Sequence, residues 1–341
     1  MRRAFIATLA CVLLISLMPA AAPAQDEPAV FFARLDGAQE TPPVTTAGTG
    51  VATARQTPDG LLVQVVTHDL EAQIASHIHC GEVGLAGPVG VTLTIDGNDK
   101  GRLLSLMVTA PNDGNDCGWA SLDDVVQAMI DGVAYVDVHT YAYWDGEIRG
   151  QLAAMEIEPG RFTDTSGNIH EANIDLIAAA EITLGCNPPA NDEFCPADDV
   201  SRGQMAAFLT RALNLQALAD GPFTDIDGSV FREDINTIAA AGITEGCTPT
   251  EFCPDDPVRR DQMASFINEA LFLHTPEDHP FLDISGNVHS LAIIDLYDEG
   301  ITEGCTEVLY CPADNVRRDQ MASFLARAIW GVTTKPFFPA G

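Results

Sequence analysis

The sequence predicts a two-part fold, in which an antiparallel β-sandwich is followed by an all-α region of three repeats. Three observations lead to that prediction. Short β-rich runs, separated by Gly-, Pro- and Asp-rich turns, recur through residues 25–152. A unit that opens at Phe162 returns at Phe223 and again at Phe281. The cysteines beyond residue 24 fall into one pair for each repeat and one pair for the β-rich region.

The chain is long and strongly acidic. It has 341 residues, of which 49 are acidic and 17 are basic, and its formal net charge is −32. This length accommodates two ordinary domains, and a hydrophobic content of 46% excludes wholesale disorder. A nucleic-acid-binding protein needs a basic face, so the composition argues against that class of partner. Docking on an anionic lipid surface is disfavoured for the same reason.

Residues 1–24 have the pattern of a secretory signal peptide. Two arginines supply the positive start, an apolar run follows over 4–18, and a small-residue cleavage site, Ala-Pro-Ala, covers 22–24. No later apolar run reaches the ~18 residues that a membrane-spanning helix needs. We therefore expect an exported protein that does not insert into the membrane after the signal is removed.

Eight cysteines remain in the exported part of the chain, and an even number in that setting indicates disulfides. The close spacing of the cysteines within each repeat favours a disulfide inside that repeat. The two remaining cysteines lie in the β-rich region and are predicted to pair with each other. Zinc is the competing interpretation, but the pairs lack a Cys-x-x-Cys spacing. The predicted disulfides are Cys80–Cys117, Cys186–Cys195, Cys247–Cys253 and Cys305–Cys311.

The β-rich region predicts six strands and one helix. Ser121 and Asp124 form a capping box at the start of that helix. The predicted domain covers 25–152, and a short Glu- and Pro-containing linker covers 153–160. The predicted strands are Val30–Leu35, Leu61–Thr67, Ile74–His79, Val89–Ile95, Leu103–Val108 and Val133–Thr140.

The three repeats share one order of motifs. Each opens with Phe-x-Asp, continues through a helix to an Ile-Thr-x-Gly-Cys turn, and then reaches an aromatic-Cys-Pro step. A second helix closes each unit. In the first unit Met205, Phe208 and Leu209 fall on one face of that helix, and Ser201 begins its capping box. The predicted units cover 161–220, 221–279 and 280–335, and a tail covers 336–341.

These motifs, with the Ser-Arg-x-Gln type of start to the second helix, resemble those of S-layer homology (SLH) repeats. The resemblance covers residues 161–332 and includes all three units in order. It implies a pseudo-threefold helical bundle that attaches exported proteins non-covalently to cell-wall polysaccharide. The disulfide-stapled loop in each unit is an addition to the family pattern.

Each unit places an arginine at the start of its second helix, although arginine is scarce in the chain. A helix N-terminus offers free N–H groups, and a guanidinium adds a planar, bidentate donor for anions. Such sites suit an anionic glycan, so the predicted glycan-binding residues are Arg202, Arg260 and Arg318. The alternative is that these arginines hold the units together by pairing with the aspartates of the opening motifs, Asp164, Asp225 and Asp283.

Three segments of the β-rich region carry a second resemblance. They are Leu-Asp-Gly-Ala-Gln-Glu-Thr-Pro-Pro over 35–43 at the front, Ser-His-Ile-His over 76–79 in the middle, and a C-terminal segment with matching residues at 135–140 and 146–152. On these segments the region 31–152 resembles the CHRD domain, which is named for chordin and is common in exported bacterial proteins. The resemblance implies a β-sandwich but no settled activity, so the ligand of this domain is unknown.

The histidines of the β-rich region predict a metal site. Residues i and i+2 of a strand point to the same face, so His77 and His79 project together, and His139 shares a face with Asp137. If the two strands are neighbours, three imidazoles converge. Because imidazole is the commonest ligand of zinc and copper, His77, His79 and His139 are candidate ligands for either metal.

Other roles remain open for the histidines. The three candidate ligands alternatively hydrogen-bond Glu40 or Arg149 and stabilise the sandwich. His68 lies on a separate strand, and we expect it to be exposed. A His-x-His strand near a disulfide is also loosely similar to copper–zinc superoxide dismutases, which leaves a metal-dependent oxidoreductase as an alternative function.

The leading hypothesis is a non-enzymatic protein of the cell surface or envelope. Its three repeats bind cell-wall polysaccharide, and its N-terminal domain is displayed for binding or structural work. The alternative is a surface-tethered protein that binds copper or zinc through His77, His79 and His139. The sequence contains no nucleophile elbow, P-loop or dinucleotide fingerprint, so no catalytic residue is predicted.

Overall fold

The computed structural model describes residues 29–93, 102–273 and 279–331. The predicted signal peptide at 1–24 and the tail at 336–341 lie outside the described residues, as does the end of the predicted strand Val89–Ile95. The described residues form a β-rich part followed by a helical part, in the predicted order.

The β-rich part is one continuous antiparallel sheet, with nine strands in the described residues. They are β1 (Val30–Asp36), β2 (Thr49–Thr57), β3 (Gly60–His68), β4 (Gln73–Cys80), β5 (Val89–Leu93), β6 (Arg102–Val108), β7 (Ala134–Thr140), β8 (Ile148–Gln151) and β9 (Ala153–Ala154). The spatial order is β5-β4-β7-β8-β1-β2-β3-β6, and β9 pairs with β1. Strands β4 and β7 are therefore neighbours, which brings the predicted histidine strands together.

The sheet curls around a single apolar core. Leu61 of β3 belongs to the same buried cluster as Ile78 of β4 and Val136 of β7, although these strands lie far apart in the sheet order. Helix α1 (Leu122–Ile130) packs on β7 and β9, and it begins at the predicted capping box of Ser121. The result is a nearly closed antiparallel barrel or sandwich.

Strands β2, β8 and β9 are not among the six predicted strands. The β2 segment lacks the alternation of apolar and polar residues that marks a half-buried strand, because residues 49–54 are buried on both faces. Ala52 lies in the core of the sheet, whereas Val51 belongs to the core of the helical part. Strand β9 occupies the start of the predicted linker 153–160, where its two alanines pair with β1.

The helical part contains two helices for each predicted repeat in the described residues. They are α2 (Glu171–Ala179), α3 (Arg202–Ala212), α4 (Arg232–Ala240), α5 (Arg260–Leu271), α6 (Ser290–Asp298) and α7 (Arg318–Trp330). The second helix of one repeat packs on the first helix of the next: α3 contacts α4, α5 contacts α6, and α7 returns to α2. None of the described helices combines the length and apolar character needed to cross a membrane.

Three buried arginines join the repeats to one another. Each Nε atom donates a hydrogen bond to the backbone carbonyl of an aromatic residue in the next repeat, and the third arginine reaches the first repeat. The pairs are Arg202–Phe252 at 2.6 Å, Arg260–Tyr310 at 2.8 Å and Arg318–Phe194 at 2.7 Å. Each guanidinium carbon also lies 4.7–4.8 Å from the centroid of the ring whose carbonyl it binds.

These contacts show that the arginines hold the repeats together, as the structural alternative expects, but through hydrogen bonds to loop carbonyls. The aspartates of the opening motifs act on the same arginines through charge. The carboxylate of Asp164 accepts hydrogen bonds from the backbone N–H groups of Phe194 and Cys195, both at 2.7 Å. Asp225 and Asp283 accept the equivalent pairs of bonds in their own repeats. The aspartate therefore shapes the loop, and the arginine of the neighbouring repeat binds a carbonyl of that loop.

A disulfide closes the same loop in each repeat. The structure contains the pairs Cys186–Cys195, Cys247–Cys253 and Cys305–Cys311, and in the β-rich part Cys80–Cys117. Their Cα–Cα distances of 5.7–6.0 Å lie within the usual range for disulfides. The loop that receives each arginine is thus covalently closed.

Two arginines of the sheet dock it against the ends of the helices. Arg55 of β2 donates from Nε to the carbonyl of Trp330 at 3.1 Å and from Nη2 to that of Gly331 at 2.7 Å. Arg34 of β1 donates to the carbonyls of Arg211 and Ala180, both at 2.9 Å. The last carbonyls of a helix lack partners within the helix and carry partial negative charge, so cations stabilise them.

His68 lies in this interface and not at the surface. It is 2% exposed, and its ring centroid is 5.0 Å from that of Phe272. Burial lowers the pKa of His68 from 6.5 to about 4, against a smaller opposing effect of a hydrogen bond to the Ala270 backbone. The expectation of an exposed His68 is wrong because β3 is covered by the helical part, which strand periodicity does not reveal.

We predict that the interface loses stability in mild acid. A neutral buried histidine contributes fully above pH 6.5, and its contribution is lost as the pH falls from 6.5 to about 4, because the unfolded state then binds more protons. The pKa difference corresponds to about 3 kcal/mol. Urea unfolding of the wild type and of His68→Leu across this pH range measures the free energy of unfolding. We expect that free energy to depend less steeply on pH in the variant. Parallel pH profiles would contradict the prediction.

We also predict that the folded state needs the ring of three arginine–carbonyl contacts that joins the repeats. Arg260→Met leaves the buried Tyr310 carbonyl without its donor, and such losses cost about 2–4 kcal/mol. Arg232→Met is the matched control, since that side chain is 47% exposed and forms only long ion pairs. Urea unfolding should separate the two variants clearly, and equal free energies of unfolding would show that the ring is dispensable.

Candidate functional site

Two grooves in the helical part have the predicted arginines among their lining residues. The unit-one groove has a volume of about 340 Å³ and lies between the turn 183–186, helix α3 and Arg318. The unit-two groove has a volume of about 460 Å³ and lies between the turn 242–247, helix α5 and Arg202. Each groove therefore combines the turn and second helix of one repeat with the arginine of the preceding repeat in the cyclic order.

The arginines keep part of their hydrogen-bonding capacity. The Nη2 atoms of Arg202, Arg260 and Arg318 are buried and have no hydrogen-bond partner within the described residues. Burial is also the main cause that lowers the pKa of each guanidinium from its ordinary value. A buried donor without a partner is costly, and such groups are frequent where a ligand or an ordered water completes the site.

The two grooves differ in charge. Arg211 faces the unit-one groove from α3, and the equivalent position in α5 is Glu269. The turn of unit two is also more negative, because Glu245 stands where unit one has Leu184. The lining of the unit-one groove thus has two guanidinium groups and no carboxylate among the described residues. The lining of the unit-two groove has two carboxylates and one guanidinium.

A second cluster lies on the sheet, where β4 and β7 pair. In the antiparallel register His77 stands opposite Asp137, and Ala75 stands opposite His139. Since alternate residues share a face, His77 and His79 of β4 meet Asp137 and His139 of β7 on the same side of the sheet. The structure therefore brings together the three predicted histidines.

The donor atoms of this cluster are close to one another. Nδ1 of His77 is 3.0 Å from Nε2 of His139, and that Nε2 is 2.6 Å from Oδ1 of Asp137. Nε2 of His79 is 3.7 Å from Oδ2 of Asp137. One donor atom from each of the four residues lies within 4.8 Å of the other three. We refer to His77, His79, Asp137 and His139 as the His-Asp cluster.

Backbone carbonyls hold two of the imidazoles from outside the cluster. Nδ1 of His79 is 2.8 Å from the carbonyl oxygen of Gly87, and Nδ1 of His139 is 2.9 Å from that of Trp144. A carbonyl only accepts, so both Nδ1 atoms carry the hydrogen and donate. In the neutral tautomer that results, both Nε2 atoms present their lone pairs to the cluster.

Burial and charge shift the pKa values within the cluster in opposite directions. Burial, followed by the neighbouring imidazoles, lowers the pKa of His77 to about 4, and burial also lowers that of His79. Burial acts downwards on His139 too, but the hydrogen bond and charge of Asp137 outweigh it and raise the pKa of His139. Two imidazoles are therefore neutral at neutral pH, which is the form that binds metals.

Among the described residues, no hydrogen bond joins these histidines to Glu40 or Arg149, although Glu40 acts on His139 through charge. Arg149 donates to the carbonyls of Leu85 and Glu82, and its guanidinium carbon lies 3.4 Å from the centroid of the Tyr135 ring. Burial and then the Asp137 charge raise the pKa of Glu40 to about 7. The strand spacing predicts that Asp137 shares a face with His139, but it does not predict that Asp137 belongs to the ligand set. The register, in which Asp137 stands opposite His77, places its carboxylate among the three imidazoles.

Comparison with known proteins finds one family match in each part of the chain. Residues 31–152 match the CHRD domain, and residues 222–264, within the second predicted repeat, match the S-layer homology domain. These two matches fall in the β-rich part and the helical part respectively. A match to the S-layer homology domain in the first and third repeats is not among these findings.

Curated relatives are similar over part of their length. An endoglucanase of Bacillus sp. (strain KSM-635) is 31% identical over 42% of this chain, and a surface-layer 125 kDa protein of Lysinibacillus sphaericus is 32% identical over 34%. A cell surface protein of Thermoanaerobacter kivui is 30% identical over 37%. The chain spans only 16%, 10% and 18% of these relatives. With its CHRD domain and its S-layer homology domain, the chain is a secreted protein of the cell surface.

Proposed function

We propose that the helical part holds this protein non-covalently on an anionic cell-wall polysaccharide and that the CHRD domain is displayed outward in a non-enzymatic role. The observation that carries the proposal is the unit-one groove, where Arg211 and Arg318 line one cavity without an opposing carboxylate in its described lining. The match to the S-layer homology domain and the surface-layer relative support it.

We further propose that the helical part is a pseudo-threefold bundle of three SLH-like repeats at 161–220, 221–279 and 280–335. The cyclic packing of α3 on α4, α5 on α6 and α7 on α2 supports this arrangement. The three arginine–carbonyl bonds follow the same cyclic order. We also keep the CHRD-like domain at 25–152 and the linker at 153–160 as proposed boundaries.

In this proposal the unit-one groove is the main site for an anionic sugar. A guanidinium binds a carboxylate through two parallel hydrogen bonds, and Arg211 presents such a group to the groove, while the buried guanidinium of Arg318 adds positive charge. The carboxylates of Glu245 and Glu269 repel the same ligand from the unit-two groove. Local charge matters here because the chain as a whole carries −32 and would repel an anionic polymer.

We predict that Arg211→Gln weakens binding to purified cell walls by about tenfold, because it removes a charged donor while leaving the backbone carbonyl that Arg34 uses. Co-sedimentation of the full exported chain with walls, at low and moderate salt, measures this affinity. Arg211 is preferable to Arg318 as the test residue, because Arg318 also holds two repeats together.

Glu269→Gln, at the equivalent position of unit two, is the matched control and should leave wall binding unchanged or slightly stronger. Circular dichroism would verify that both variants are folded. Equal loss in the two variants, or none in a folded Arg211→Gln, would contradict the assignment of the unit-one groove. A wild-type chain that stays in the supernatant would contradict the anchoring proposal itself.

A further inference from the structure

We propose that His77, His79, Asp137 and His139 bind one zinc ion in a closed, four-coordinate site within the CHRD domain. This inference is independent of the polysaccharide proposal, since the cluster lies on β4 and β7 of the sheet and the grooves lie between the helical repeats.

The spacing of the donor atoms suits a tetrahedral ion. Zinc bonds to imidazole nitrogen and carboxylate oxygen are ~2.0–2.2 Å long, so the donors of a tetrahedral site are separated by about 3.3–3.6 Å. Three donor separations in the cluster are 2.6, 3.0 and 3.7 Å, on both sides of that range, and all four donors lie within 4.8 Å of one another. To reach the expected separations, the shortest of these pairs must lengthen by about 0.7 Å, and the other two must shift by about 0.3 Å or less.

The protein orients the imidazoles as it would for a metal. The carbonyls of Gly87 and Trp144 fix the Nδ1–H tautomer of His79 and His139, so that each Nε2 lone pair faces the cluster. Bonds of this kind, from the outer nitrogen of a histidine ligand to a carbonyl, accompany most metal-bound histidines. Core histidines that only fill space do not need two such constraints directed at one point.

The close contacts of the cluster call for a cation, which is either a proton or a metal ion. Nε2 of His139 lies 2.6 Å from Oδ1 of Asp137, and a proton on His139 or a metal ion between the two atoms makes this contact attractive. Nε2 of His79 is buried without a hydrogen-bond partner among the described residues. A zinc ion would satisfy both groups at once, whereas a single proton on His139 would leave His79 unsatisfied.

The donor set favours zinc over the other common metals. Three imidazoles and one carboxylate are borderline donors that suit zinc, while calcium and magnesium require mostly oxygen ligands. No thiolate contributes, because the neighbouring Cys80 is in a disulfide with Cys117. Four protein donors fill a tetrahedral shell, which is the arrangement of structural sites, so the ion would cross-link β4 and β7 and stabilise the displayed domain.

Zinc titration of the full exported chain tests the proposal. The protein is purified without affinity metal, stripped with a chelator and dialysed, and then zinc content and melting temperature are measured. We expect one zinc per chain and a higher melting temperature with zinc. Asp137→Asn and His77→Ala should each weaken zinc binding at least tenfold, whereas His279→Gln, in the helical part, should not.

Cobalt(II) provides a readout that does not depend on the stability of the variants. The stripped wild type should develop the strong visible absorption of tetrahedral Co²⁺, and added zinc should abolish it. Retention of zinc by folded Asp137→Asn and His77→Ala would overturn the site. Failure of the wild type to bind zinc would overturn the proposal, and binding of copper alone would replace zinc with a copper site on the same residues.

Discussion

The helical part depends on three guanidinium groups buried between its repeats. Each binds a loop carbonyl and an aromatic face of the neighbouring repeat, and the third reaches back to the first, so the three contacts close a ring. A carbonyl deprived of its donor inside such a ring has no access to water. The same burial leaves each Nη2 atom without a hydrogen-bond partner among the described residues.

The placement of scarce cations in an acidic chain explains much of the architecture. Only 17 basic residues face 49 acidic ones, yet Arg34 and Arg55 lie in the contact between the sheet and the helices. They bind carbonyls at helix ends, where the helix dipole is negative and no internal donor is available. Basic groups used in this way leave the exterior strongly acidic. Single residues then determine the charge of an individual groove. Arg211 in unit one and Glu269 in unit two, for example, occupy equivalent positions of α3 and α5.

Strand periodicity predicts only part of the His-Asp cluster. The two-residue spacing of His77 and His79, and of Asp137 and His139, predicts which side chains share a face within each strand. It does not say that β4 and β7 are neighbours, nor that the register sets His77 opposite Asp137. The carbonyls of Gly87 and Trp144 come from segments outside the two strands. No local pattern in the sequence predicts those two contacts.

The sequence by itself determined the order of a β-rich part and a helical part, the repeat motifs, most strands and the helix caps, because these follow from local periodicity and short-range spacing. Only the tertiary structure decided which groups those elements bring together. It buried His68 under the helical part and added β2 to the sheet. It bound the arginines to loop carbonyls, with the aspartates of the opening motifs acting on them through charge, and it gave the two grooves different charges. These outcomes depend on contacts between residues far apart in the chain, where burial and partner geometry outweigh local pattern.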